Sequence, residues 1–324
     1  MARSLPKYYK AAIVEGPGLP LELIELEQKQ PGPGQVMVKV LLAAGQFGTH
    51  HFPCVPGHDI VGDVVAVDEG VARVFVGQRV GGAWHGGHDN TCRQYYAGLF
   101  QLCWNGTANG VSQDGGYGEY VVLRSEAVVR IPKDIDPALV APLLYAGITS
   151  QEALSPFKGL GGLGPLDVQD ASKMGYKVIV LSPSADKEDF ARELGAHDFI
   201  DTSAKDAVKC LQQLGGASLI LVTAPNPKAI SPLTGGLRAG EKLCVLAPVG
   251  PVELNSVGLI SKAVSVHGWP GGHAVDCEDA IEFAREHDVR CVVERFGLKD
   301  VEKAMKHMLD NTVRFRSVLL MDLQ

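Results

Sequence analysis

Two rhythms of apolar and polar positions divide the chain. Up to about residue 150, short apolar runs alternate with Gly/Pro punctuation, at residues 10–14, 36–43, 60–67, 119–123 and 127–131. Runs of this length and spacing predict the strands of an antiparallel barrel or sandwich. Pro31-Gly32-Pro33-Gly34 marks a turn between two of them. From about residue 159 to 270 the rhythm changes. The continuous β-branched run at 177–181 (KVIVL) predicts a parallel strand buried on both faces. A helix over 187–194, ending at Gly195, follows it. A strand end at 199–201, a helix over 204–214 and strands at 219–222, 242–246 and 263–267 complete the stretch. Alternating strands and helices predict βαβ units and a parallel sheet. Helices are expected over 279–286 and 298–309, and a last strand over 314–321.

Composition narrows the class. The 324 residues suffice for roughly two domains. With 46% hydrophobic and 21% charged residues, the chain is ordinary for a globular protein, which excludes overall disorder. The 38 glycines are in excess and predict many tight turns and close backbone approaches. A net charge of -7 weighs against a nucleic-acid partner. No apolar run is long enough to cross a membrane, and the first residues do not read as a signal peptide. Seven scattered cysteines argue against a disulfide framework, so a reducing, cytoplasmic setting is expected.

Gly159-Leu160-Gly161-Gly162-Leu163-Gly164 fits the G-x-G-x-x-G spacing of a dinucleotide-binding loop. The glycines, Gly159, Gly161, Gly162 and Gly164, would permit a tight turn and close approach of backbone N–H groups to a pyrophosphate. A helix over 166–174, Gly175 and the KVIVL strand follow in register. The preceding part of the fingerprint is absent. Residues 151–158 (QEALSPFK) read as a helix end with a proline, not as a buried strand, so the first strand of the nucleotide-binding sheet is missing or shortened. At the end of the second strand, where a carboxylate would hold the ribose 2′-OH of NAD, stand Ser182, Ser184 and Lys187. Two hydroxyls and an ammonium favour the 2′-phosphate of NADP.

The combination resembles one family. Pro56-Gly57-His58-Asp59-Ile60-Val61-Gly62 is similar to the P-G-H-E-x-x-G motif of the zinc-type alcohol dehydrogenases in the medium-chain dehydrogenase/reductase superfamily. Gly77-Gln78-Arg79-Val80-Gly81 resembles its G-D-R-V-G turn, and residues 115–120 (GGYGEY) its G-G-Y-A-E-Y segment. The resemblance covers nearly the whole chain and is nearest to fungal and bacterial members. It implies an α/β plus β fold: a GroES-like β-rich catalytic domain over 1–155, completed by 290–324, and a Rossmann-type doubly wound parallel sheet domain over 156–289. It also implies an oxidoreductase moving hydride between NAD(P)(H) and an alcohol or aldehyde, assembled as a homodimer or homotetramer, with Arg316 on the cofactor pyrophosphate.

The departures bear on mechanism. In the family, catalytic zinc is held by a Cys in C-H-[ST]-D, the His of P-G-H-E and a Cys in L-L-C-A-G-[IV]-T. Here Ala43-Ala44-Gly45 runs straight into Gln46-Phe47-Gly48-Thr49-His50-His51, without the first Cys, the hydroxyl relay or the Asp. Tyr145 stands at the second Cys position, so of the zinc ligands His58 remains, beside Asp59. Cys54, His50 and His51 are nearby candidates to substitute. The family's structural-zinc pattern C-x-x-C-x-x-C-x7-C meets Asp89, Cys92, Tyr95 and Cys103, so Cys92 and Cys103 are its remnant thiolates; His88 is a candidate to join them. An impaired dehydrogenase, a non-catalytic nucleotide-binding descendant and a zinc-free quinone or enone reductase all fit these losses.

Overall fold

The computed structural model describes residues 5–45, 48, 51–149, 165–224, 226–247, 249–309 and 316–321. Along the chain run β1 (Tyr8–Val14), β2 (Leu21–Glu27), β3 (Gln35–Ala44), β4 (Asp59–Val67), β5 (Arg79–Gly82), β6 (His85–Gly87), β7 (Thr107–Ala108), β8 (Tyr120–Arg124) and β9 (Val128–Arg130). Then come β10 (Ile179–Ser182), β11 (Asp198–Asp201), β12 (Ala217–Val222), β13 (Leu237–Val245), β14 (Ser265–Gly268), β15 (Val293–Gly297) and β16 (Arg316–Leu320). The chain divides into two compact units. One comprises Met1–Ile148, Gly271–Arg285 and Arg290–Gln324; the other Thr149–Pro270 and Glu286–Val289.

The first unit is β-rich. Its main sheet runs β15-β16-β3-β4-β5-β9, with β8 pairing β3. The long strand β3 is central. Its first half pairs β8 from Gln35 to Lys39, and Leu42–Ala44 pair the last strand, β16. The last strand thus returns to the unit that the first strands begin. Alternate residues of β3 and β4 point inward, and Val36, Val38, Val40, Ile60 and Val64 join one apolar cluster with Leu319. Helix Ala274–His287, which sequence pattern places as a shorter element over 279–286 within the nucleotide-binding half, belongs to this unit as far as Arg285. Glu278 is the reason on the polar side: its carboxylate accepts from Arg73 and from both the backbone and side chain of Arg130.

The second unit is a parallel α/β layer. Among the described residues it has two ladders, β10-β11 and β12-β13-β14, with no strand joining them. Both ladders nonetheless share the same two apolar clusters. Val180, Phe199, Leu219, Leu221 and Cys244 gather on one face with Val168 and Ala171 of helix Pro165–Lys173. Ile179, Ile200, Ile220, Val222 and Leu243 gather on the other with Leu211 and Ile230. Successive residues of each strand therefore alternate between two helical covers, as a doubly wound sheet requires. The two ladders share both clusters as parts of one layer, and among the described residues no ladder joins them beside the KVIVL strand. The glycine loop (Gly159, Gly161, Gly162, Gly164) and residues 151–158 lie outside the described residues. The layer also carries a buried acid: burial pushes the Asp170 carboxyl up to about 7.

Candidate active site

The P-G-H-D and G-G-Y motifs are packed against each other. Gly116 N donates to Gly57 O and Tyr117 N to Pro56 O, at 2.8 and 2.9 Å. Gly57 has φ +94°, and a Cβ there would lie 2.4 Å from the Tyr117 ring. Only glycine permits this turn without displacing the tyrosine. The turn delivers His58 and Asp59 to the start of β4, both fully buried. His58 Nδ1 and Asp59 Oδ1 are 2.9 Å apart. A carboxylate on Nδ1 fixes ring orientation and leaves ligation to Nε2. Asp59 Oδ2 is buried without a hydrogen-bond partner among the described residues.

Around His58 stand aromatic rings. Tyr145 meets it edge-on at 5.0 Å and Trp84 at 5.6 Å, and those two rings are 5.7 Å apart. The imidazole also lies on Gly45: a Cβ there would fall 2.3 Å from His58 Cε1. The structure therefore brings Gly45, His58, Asp59 and Tyr145 to one place, with Trp84 as a wall that sequence reading missed. Burial raises the Tyr145 hydroxyl pKa, Asp59 adds to this, and Arg316 opposes it. Tyr117 is raised by burial and then by Asp59. Arg316, at the start of β16, thus exerts its charge on this pocket.

Catalytic zinc does not fit the donors described. Such a site needs about three protein ligands. Among the described residues, the one group of three or more His, Cys, Asp or Glu ligand atoms lies elsewhere, at Asp89, Cys92 and Cys103. Cys54 offers no substitute: its thiol is fully buried and donates to Val55 O and Gln113 O. Gln46, Phe47, Thr49 and His50 lie outside the described residues.

At the second remnant, Cys92 Sγ and Cys103 Sγ are 3.5 Å apart, and Cys103 Sγ is 3.4 Å from Asp89 Oδ1. Tyr95 contributes its backbone N–H to Cys92 Sγ. His88 does not join them. Its Nδ1 is 3.3 Å from His85 Nε2, and its ring stacks on Phe100, which stacks in turn on His273. His273 Nδ1 bonds to Asp276. This His85–His88–Phe100–His273 column joins residues nearly 190 positions apart, so no local spacing could have announced it. Burial pushes the His85 imidazole down to about 4, with His88, His273 and Arg124 adding and Asp276 opposing.

Because folding depresses the His85 pKa, the unfolded chain takes up its proton first, near 6.5. Stability is then retained above pH 6.5 and lost progressively toward pH 4. The loss amounts to about 3 kcal/mol for this group. Urea unfolding at pH 7 and pH 4 should show a smaller acid loss for His85→Phe than for the unmodified chain. Equal losses would contradict the assignment.

In the second unit, Ser182 closes β10 and is buried, and its Oγ accepts from Ser184 N at 3.3 Å. Ser184 Oγ donates to Asp186. Lys187 ends the short 3-10 turn Ala185–Lys187 that leads into helix Glu188–Glu193. The three cofactor candidates after β10 are therefore contiguous, but Asp186, passed over by sequence reading, places a carboxylate among them.

The comparisons with known proteins agree with this layout. Residues 32–133 match the alcohol dehydrogenase GroES-like domain, and residues 162–286 match the zinc-binding dehydrogenase domain. The chain is 45% identical to alcohol dehydrogenase patD of Penicillium expansum, over 99% of this chain and 100% of that one. It is 32% identical to an alcohol dehydrogenase of Geobacillus stearothermophilus, over 96% and 98%. Among solved structures, a cinnamyl alcohol dehydrogenase of Sorghum bicolor superposes with a TM-score of 0.85 at 26% identity, covering 97% of each chain. The alignment with the Penicillium protein spans 341 positions against 324 residues here, so that relative carries internal segments that this chain lacks. The chain belongs to the zinc-type alcohol dehydrogenases of the medium-chain dehydrogenase/reductase superfamily.

Proposed function

We propose that this protein is an oxidoreductase of the alcohol dehydrogenase type, transferring hydride between NADP(H) and a small alcohol or aldehyde, and that its turnover is impaired. Whole-length similarity to alcohol dehydrogenases supports the reaction class. One observation carries the impairment: Tyr145 stands edge-on to His58 in the family's second cysteine position. The nicotinamide, when bound, supplies or accepts the hydride. The chain's own groups do the rest. Asp59 orients His58, Trp84 and Tyr145 wall the pocket, and Arg316 brings a positive charge to it. The first unit is assigned the catalytic role and the second, from Ser182 to Lys187, the cofactor. No helix among the described residues is long and apolar enough to cross a membrane. A cytoplasmic enzyme acting as a homodimer or homotetramer is the setting proposed.

Fluorescence titration tests the cofactor. NADPH should bind more tightly than NADH, and Lys187→Ala should weaken NADPH about tenfold, the worth of one charge-assisted bond. Asp186→Ala should strengthen it, by removing a carboxylate from beside the 2′-phosphate. Tighter NADH binding that ignores Lys187→Ala would reverse the preference. Turnover of alcohols at a rate matching relatives with a complete ligand set would defeat the impairment.

A further inference from the structure

The remnant lobe at Asp89, Cys92 and Cys103 has lost the closed four-donor set that structural zinc requires. The fourth place falls at Tyr95, whose ring packs on Tyr96 and Phe100 while its backbone N–H bonds to Cys92 Sγ. What remains is two free thiols in contact, 3.5 Å apart and eleven residues apart in the chain. We propose that Cys92 and Cys103 form a reversible disulfide with low-molecular-weight disulfides, so that the former metal lobe is a thiol-based redox latch.

Exposure to solvent sets the order of events, although burial raises the pKa of the Cys103 thiol and the Tyr95 N–H lowers that of Cys92. Cys103 is partly exposed, whereas Cys92 is buried. Tyr96 and Trp104 beside them are mostly exposed, which places the lobe at the solvent boundary. The Cys103 thiol, which donates to Asp89, gives up its proton to solvent and attacks one sulfur of glutathione disulfide. That disulfide bond breaks, one glutathione leaves as its thiol, and a mixed disulfide remains on Cys103. Cys92, already in contact, then loses its proton and attacks the Cys103 sulfur, expelling the second glutathione. Two protein thiols are oxidised to one disulfide, and one small disulfide is reduced to two thiols. The Tyr95 N–H steadies Cys92 as the resolving thiolate. Closing the gap to bonding distance requires a movement of about 1.5 Å. A covalent tie across this short loop removes freedom from the segment that carries Arg93.

The test uses the full chain, as isolated and after incubation with glutathione disulfide. Two of the seven thiols should disappear, with a mass lower by two hydrogens and no retained glutathione. Trypsin cleavage after Arg93 should slow severalfold, and dithiothreitol should reverse both changes. Cys92→Ser should instead accumulate a glutathione adduct at Cys103. Seven persistent thiols, or zinc bound at one per chain and released by modification of Cys92 and Cys103, would overturn the proposal. If Cys92→Ser fails to fold, mass and thiol count of the unmodified chain still decide.

Discussion

Inserting about six apolar β-branched residues ahead of Gly159 should raise the unfolding midpoint by about 10 °C. The physical ground is the split in the second unit. Val180 on β10 and Leu219 and Leu221 on β12 belong to one cluster, yet no ladder joins their strands among the described residues. A central strand of a doubly wound sheet is covered on both faces and paired on both edges. Each aliphatic side chain so buried is worth ~1.5–3 kcal/mol, and backbone groups left without partners are costly. Even after the entropy of ordering the insert, a gain of a few kcal/mol should survive. For the second unit unfolding by itself, each kcal/mol moves the midpoint by roughly 4 °C. Differential scanning calorimetry compares the two chains directly. If the unmodified chain melts cooperatively at high temperature and the insert lowers that midpoint, another segment already fills the slot.

Rebuilding the metal pocket should restore activity only when two defects are repaired together. Tyr145→Cys alone should bind no catalytic zinc, because it supplies one thiolate beside His58. Tyr145→Cys combined with a Cys-bearing segment inserted after Gly45 should take up about one zinc per chain, released again by His58→Ala. A Lewis acid is worth several kcal/mol at the reacting oxygen, so turnover should rise about a thousandfold. Metal analysis and steady-state kinetics check both halves. Zinc removed from the unmodified chain by His58→Ala would show instead that the ligands are complete without repair.

Local chemistry was the legible part of this protein. Strands β3 and β4 were readable because Val36, Val38 and Val40 and the β-branched run from Ile60 follow the period of a covered sheet. Strand β2 was missed because Glu22, Glu25 and Glu27 interrupt Leu21, Ile24 and Leu26 with charge, although those glutamates mostly face water. The family resemblance pointed to Tyr145 beside His58 and to Asp89 with Cys92 and Cys103, and each set lies together in the fold. Trp84 against His58, and His273 at the end of the histidine column, depend on pairings across the fold that no window of sequence contains. Asp186 is different: its partner Ser184 is two residues away, so the contact is local, and only the turn after β10 brings the two together.

Strand order also has a consequence for synthesis. The edge of β3 from Leu42 to Ala44 is covered by Val318–Leu320, so it waits for the end of the chain. Roughly 270 residues, including the whole of the second unit, must emerge before that edge can close. At 5–20 residues per second the delay is about 15–55 s. Throughout it, an apolar strand end is open to pairing with other nascent chains, while the inserted unit must fold between two unfinished halves of its neighbour. Yield in the cell should therefore respond to translation speed and chaperone supply as strongly as to the stability of the finished protein.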